Sequence, residues 1–409
     1  MDDPFMIERA EGVNLYTTEG KRIIDVISSW WVNIHGHAHP KLAEAIAQQA
    51  SRLEHVIFAG FTHQPAIELA ERLLSILPDN QAKVFYSDNG STAVEVAIKM
   101  AFQYFYNKGI EKKKIIAIDG AYHGDTFGAM SVGDRGPFTE PFDPYLFDVA
   151  FLAFPHPDKE EEVWKHYVQL VETGEVAAFI FEPIVQGASG MQFYSAELLD
   201  RMIRFGQENE VICIADEVMT GFGRLGTLFA ADQLAHKPDI MCLSKGLTGG
   251  ALPMGVTTCT EKIQQAYRSN DLMKTFFHGH SFTGNPVIAA AANASLDLLL
   301  APSCSENRER VNRRHQAFFK QIKDHPMVRN ARVIGTILAF DLNTAKDTSY
   351  FNEARHHLYP YFIEKGLLIR PLGNVIYLIP PYVISDDDLA YIYQTILNFL
   401  EEYPALLGQ

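Results

Sequence analysis

From about residue 65 onward, short apolar runs alternate with longer stretches of helical periodicity. Runs of strand length lie at Lys83–Tyr86, Lys114–Ile118, Val176–Ile180, Val211–Ala215, Ile240–Leu243 and Gly255–Cys259. Between them, Pro65–Leu77 predicts a helix, and a second follows Thr92 to about Tyr106. Val94, Ile98, Ala101 and Phe105 share one face of it. Leu198, Leu199, Met202 and Ile203 mark another helix that Ser195 can cap, and an Ala-rich helix covers 287–300. This alternation predicts an α/β fold: a mostly parallel central sheet with helices on its faces and right-handed crossovers.

The two ends read differently. Val13–Thr17 and Arg22–Ser28 flank a turn at Thr18–Lys21, a hairpin signal. Trp30 and Trp31 follow; on a strand they face opposite ways, one toward a pocket and one into the core, although two core tryptophans fit the pattern equally well. His35, His37 and His39 lack the spacing of a common zinc site, and Gly36 and Pro40 mark a turn into a helix at 41–54. No metal is expected. Past Pro302-Ser303 the composition shifts. A charged helix is predicted over 305–323 and a strand over Val333–Leu342. Gly366–Pro371 and Val375–Ile379 should pair around Gly373-Asn374, before an amphipathic helix at 385–402. The expected organisation is a large domain over 46–300 and a smaller α+β domain assembled from 1–45 and 301–409.

Composition narrows the function class. The 409 residues allow two domains with substantial cores, and 47% hydrophobic with 21% charged residues is ordinary for a globular protein. A net charge of −15 without a basic block argues against nucleic acid or an anionic membrane as partner. Cys213, Cys242, Cys259 and Cys304 lie far apart and read as buried thiols of a cytoplasmic protein. No signal-peptide pattern or membrane-length apolar run is evident.

Candidate chemistry gathers where strands end. The run at 211–215 stops at Asp216-Glu217 and the run at 240–243 at Ser244-Lys245. In a parallel sheet both ends lie on one rim, where ligands collect. A lysine and an acid are the two protein groups that pyridoxal phosphate needs. A strand-terminal Asp is also a common helix cap, and a single Lys is usually a solvated group. Ser87–Thr92, between a strand and a helix N-terminus, forms a candidate phosphate cradle in which Gly90 permits close approach. An ordinary capped helix has the same pattern, and the Gly-Lys-Ser/Thr ending of a Walker loop is missing. Tyr122, beyond the strand at 114–118, offers a ring to stack on a flat heteroaromatic ligand.

Eight segments in order then resemble one family: Ser28–Gly36 (SSWWVNIHG), Asp88–Glu95 (DNGSTAVE), Tyr122–Val132 (YHGDTFGAMSV), Glu182–Gly190 (EPIVQGASG), Ile214–Arg224 (IADEVMTGFGR), Leu243–Gly250 (LSKGLTGG), His278–Asn285 (HGHSFTGN) and Ile369–Leu372 (IRPL). The chain is similar to the class III (omega) aminotransferases of the fold-type I pyridoxal-phosphate enzymes. The resemblance implies pyridoxal 5'-phosphate as cofactor, Lys245 as Schiff-base lysine and Asp216 as partner of the pyridine nitrogen. It places Gly90 and Ser91 on the phosphate, with His280 and Ser281 adding to the cofactor site and Ser281 arriving from the other subunit of a homodimer. Tyr122 stacks on one face of the ring and Val218 packs on the other. Trp30, Tyr122, Gly279 and Arg370 line the substrate site, with Arg370 on a carboxylate, and Asp125 and Arg224 form a charged pair near the donor. Ala188 follows Gln186-Gly187 where ornithine- and aminobutyrate-type relatives carry an acid. That favours the biotin-pathway branch, which aminates 8-amino-7-oxononanoate to 7,8-diaminononanoate with S-adenosylmethionine. His280-Ser281 in place of Pro-Thr leaves lysine open as donor. Another class III aminotransferase, or a nonenzymatic protein that kept the fold, is the alternative.

Overall fold

The computed structural model describes residues 4–344, 348 and 352–406. Its centre is a seven-stranded sheet in the order Gln81–Ser87, Gly255–Thr260, Ile240–Leu243, Ile212–Asp216, Val176–Phe181, Lys114–Ile118, Ala150–Leu152. Ile212–Asp216 runs parallel to both neighbours, and Gly255–Thr260 runs antiparallel to both of its own. Every residue of Val176–Phe181, Ile212–Asp216 and Ile240–Leu243 is buried, because helices cover both faces. The reversal of Gly255–Thr260 matters for the site. Pro253 and Met254, which precede it, reach the same rim as the carboxyl ends of the two strands beside it.

The helices form where the sequence provides caps and apolar faces. Asn89 caps Gly90–Asn107, its side chain accepting from Thr92 N–H at 2.9 Å, while Val94, Ile98, Ala101 and Phe105 are buried on the sheet. Ser195 caps Ala196–Glu208 through Leu198 N–H. Asn285 accepts from Val287 and Ile288 at the start of Pro286–Leu299. That helix packs on Pro40–Arg52 and Gln64–Ile76. Among the described residues no single helix is long and apolar enough to cross a membrane.

A second core joins the two ends of the chain. Val13, Ile24 and Val26 pack with Phe340, Leu358, Ile376, Ile392 and Phe399. Two expectations need correction here. Val333–Leu342 is a hairpin: Val328–Ile334 turns at Gly335-Thr336, where Gly335 has φ +53°, into Ile337–Leu342. Gly366–Pro371 does not pair with Val375–Ile379 along its length. Leu367–Leu368 joins Arg22–Asp25 in parallel, Val375–Leu378 joins Ile337–Leu342, and a single bridge links Leu372 to Val375.

The tryptophan pair is not on a strand either. Ser28–Trp31 is a tight coil with positive φ at Ser28, Ser29 and Trp31. Such backbone costs roughly 1–3 kcal/mol per residue and persists only where the surroundings enforce it. Asp25 enforces it: its carboxylate accepts Ile27 N–H and Ser29 N–H, and His37 Nε2 lies 2.9 Å from Oδ2. Trp31 is driven inward while Trp30 stays 53% exposed.

Candidate active site

Carboxyl ends of five strands, Val176–Phe181 among them through Glu182, converge on one cavity of about 670 Å³. The Gln81–Ser87 strand brings Gly90 and Ser91, Lys114–Ile118 brings Tyr122 and His123, and Ile212–Asp216 brings Asp216 and Val218. Ile240–Leu243 brings Lys245. Lys245, Asp216, Tyr122, Gly90, Ser91, Val218 and Asp125 are thus on its walls, as are Trp31 and Glu182. Lys245 has φ +45°, a left-handed residue at a strand end.

Electrostatics favour an acid–amine site. Lys245 is half-buried on the cavity wall, and its desolvation there pulls its pKa down to about 8, opposed by the carboxylates of Asp216 and Glu182. Its Nζ lies 4.5 Å from the Trp31 ring centroid. Asp216 Oδ2 is 2.7 Å from His123 Nδ1, and Oδ1 accepts Val218 N–H at 3.1 Å. Those contacts fix the carboxylate's direction. His123 is itself buried, and its Nε2 has no hydrogen-bond partner among the described residues.

The opposite wall fits a phosphate group. Gly90 and Ser91 are the first two residues of a helix of 18 residues whose N-terminus faces the cavity. A Cβ at Gly90 would meet Val218 Cγ1 at 2.8 Å, so glycine is needed for the close approach. Ser91 Oγ lies 2.9 Å from Thr126 Oγ1 and accepts Thr126 N–H. Tyr122 hangs over this space and donates its hydroxyl to Asp125 Oδ2 at 3.0 Å. Anion cradle, ring, acid and amine therefore surround one volume, which fits pyridoxal phosphate.

Other candidates lie elsewhere. Trp30 and Arg370 are off the cavity wall and meet each other, the guanidinium 4.8 Å from the indole centroid. Asp125 and Arg224 do not form the expected pair. Arg224 is fully buried; Nη2 donates to Trp31 O at 3.1 Å, Nη1 to Pro380 O at 3.0 Å, and its guanidinium lies 5.1 Å from the Tyr382 ring. Two carbonyls and an aromatic face draw it inward, so it braces Trp31 from behind. Gly279, His280 and Ser281 are exposed and do not line this chain's cavity; His280 Nε2 is 4.0 Å from Asp88 Oδ1.

Sequence reasoning passed over Trp31, His123 and Glu182 as site residues. His123 and Glu182 sit next to strand ends already singled out, so position was the available signal. For Trp31 the signal was an alternation that left open which tryptophan faces the pocket, since the coil that turns it inward depends on Asp25.

The class III aminotransferase family model matches residues 1–400. An adenosylmethionine-8-amino-7-oxononanoate aminotransferase of Synechococcus elongatus is 47% identical over 408 residues, covering 98% of this chain and 96% of the relative. One from Geobacter sulfurreducens is 38% identical, covering 95% and 90%. Among solved structures, the enzyme of that name from Methanocaldococcus jannaschii superposes with a TM-score of 0.92 at 35% identity, covering 98% and 94%. An omega transaminase from Pseudomonas jessenii in complex with PMP also reaches 0.92, at 26% identity with coverage of 99% and 94%.

Proposed function

Because the chain belongs to the class III aminotransferases, a pyridoxal-phosphate family, we propose that it aminates 8-amino-7-oxononanoate to 7,8-diaminononanoate in biotin biosynthesis, with S-adenosylmethionine as donor. The observation that carries this reading is the pairing of a half-buried amine and a buried acid, Lys245 and Asp216, on one cavity in a chain 47% identical to a relative of that name. Incubating the protein with pyridoxal phosphate, the oxo acid and S-adenosylmethionine or lysine, and measuring the diamine, tests it. Lysine as donor is kept open by His280-Ser281. No diamine from either donor would overturn the reading.

Bound pyridoxal phosphate supplies an aldehyde that accepts an amino group and a ring that withdraws electrons. The residues supply the rest. Gly90 and Ser91 would hold the phosphate at the helix N-terminus, Tyr122 and Val218 would press on the two ring faces, and Asp216 would keep the ring nitrogen protonated. Lys245 Nζ would take the proton from the donor's α-carbon and hand it on to the cofactor, not back to the donor, which requires a neutral amine. Desolvation on the cavity wall provides one. The donor leaves its amine behind before the oxo acid enters, giving ping-pong kinetics.

A pH dependence follows. Capture of pyridoxal phosphate by cofactor-free protein should quicken about tenfold per pH unit below about 8, where neutral Lys245 is the minor form, and level off above. A flat profile from pH 6 to 9 would contradict Lys245 as the attacking amine.

Arg370 suits the acceptor's carboxylate because its planar fork pairs both oxygens, and its stacking on Trp30 aims it. Arg370→Ala should raise KM for the oxo acid about 10- to 100-fold, the worth of a charge-assisted pair, and leave the donor's KM unchanged. Equal effects on both would remove the clamp. Exposed Gly279, His280 and Ser281 are read as reaching the cavity of a second copy, the enzyme being a cytoplasmic homodimer. Sedimentation with and without Ser281→Trp tests that.

A further inference from the structure

Glu182 is a buried acid that none of the steps above uses. It follows the all-buried strand Val176–Phe181 and points its carboxylate between two loops. Oε1 accepts the backbone N–H of Tyr122 at 3.0 Å, and Oε2 accepts that of Gly187 at 2.9 Å. The chain can return to meet its own carboxylate because Ile184 turns at φ +68°.

These two N–H groups belong to opposite walls. Tyr122 carries the ring that hangs over the cavity. Gly187 backs the other side: a Cβ there would stand 3.1 Å from Trp31 Cζ3 and 3.2 Å from Met219 Cε, both wall side chains. We propose that Glu182 is a positioning residue for the reaction, one carboxylate setting the separation of the Tyr122 wall from the Trp31 wall. The far end of the loop is held independently. Arg332, ion-paired to Asp341, donates to the carbonyls of Gly190 and Met191. Tyr194 donates its hydroxyl to Glu182 O, which fixes the backbone from which the side chain starts. The inner end is held by Glu182 together with Gln186, which donates to Asp119 O at 3.2 Å; of the two, Glu182 is the one whose side chain meets the backbone N–H of both Tyr122 and Gly187.

An ionised carboxylate is the form with acceptors for both donors and no proton to place. Burial raises the Glu182 pKa to about 7, His123 opposes this and Asp216 adds to it. A glutamine of the same shape can accept one N–H but turns its own NH₂ toward the other. An unmatched pair of donors in a dry site is costly.

The test is Glu182→Gln in the holoenzyme, read by amide hydrogen exchange and steady-state kinetics. Peptides spanning Tyr122 and Gly187 should exchange about tenfold faster or more, with the rest of the chain unchanged, as expected for one lost buried hydrogen bond. KM for the oxo acid should rise about tenfold, with kcat changing less. Glu182→Asp keeps the charge and should recover part of both effects; it carries the same measurement where the glutamine variant does not fold. Wild-type exchange at both peptides, or acceleration spread evenly over the chain, would overturn the proposal. The kinetic outcome presupposes transamination of the oxo acid and the exchange outcome does not, so the two failures are distinguishable.

Discussion

Lys245→Ala will form no diamine above background, a loss on the order of 10⁴-fold or more. Acid–base work by one positioned group contributes up to about 10⁴, and in the proposed mechanism Lys245 performs it in addition to covalent attachment. The variant should still fold. Its surroundings already disfavour the charged amine, as the lowered pKa of about 8 records, so removing it relieves desolvation. The helix N-terminus at Gly90, the Asp216–His123 contact and the Tyr122 ring are untouched, so cofactor can remain bound without a covalent link. Mass mapping makes the expectation specific. Borohydride reduction of the wild-type holoenzyme should leave the cofactor's mass on the peptide containing Lys245, and on none in the variant. Residual turnover in Lys245→Ala, or an adduct at another lysine, would sink the assignment.

The same residue shows why much of the site could be read without coordinates. Lys114–Ile118 and Ile240–Leu243 occupy the residues expected of them, because strands buried on both faces are unbroken apolar runs. Once those runs are strands of one parallel sheet, their next residues share a rim, and Asp216 and Lys245 meet there by topology. What local pattern does not encode is pairing across the chain. Leu367–Leu368 chooses Arg22–Asp25 as its neighbour, more than three hundred residues away, instead of the nearby 375–379 segment. Gly335-Thr336 did carry a turn signal, a glycine first in a two-residue turn, masked by apolar residues continuing on either side.

The pattern also fails where side chains bend the backbone. A strand period placed Trp30 and Trp31 on opposite faces. They do point apart, but because Asp25 accepts two N–H groups and forces three left-handed residues. Arg224 is the converse case. The family resemblance implied a charged pair with Asp125 near the donor, yet carbonyls of Trp31 and Pro380 hold Arg224 inside. A buried guanidinium held by backbone oxygens through its two Nη groups cannot be told from a substrate-binding one by sequence alone.

Asp216→Asn should lower kcat on the order of 10²–10³-fold, the usual cost of losing one preorganised electrostatic partner in a dry site, while KM for the oxo acid stays close to wild type. The split follows from where the contacts lie. Arg370 and Trp30, read as gripping the acceptor, are away from Asp216. The substitution is nearly isosteric, so the amide can still accept Val218 N–H where Oδ1 did. Its NH₂ must then face His123 Nδ1, 2.7 Å from the present Oδ2, and the imidazole must switch tautomer so that Nδ1 accepts and Nε2 carries the proton. Because Nε2 has no partner among the described residues, that switch meets no competing hydrogen bond and the fold should survive it. What is lost is the negative charge that, in the proposed role, would keep the ring nitrogen protonated. Reduction with borohydride should still mark Lys245, which separates loss of the electron sink from loss of the cofactor. A wild-type kcat in Asp216→Asn would mean that the ring needs no acid beneath it, and the role given to the Ile212–Asp216 strand end would fall.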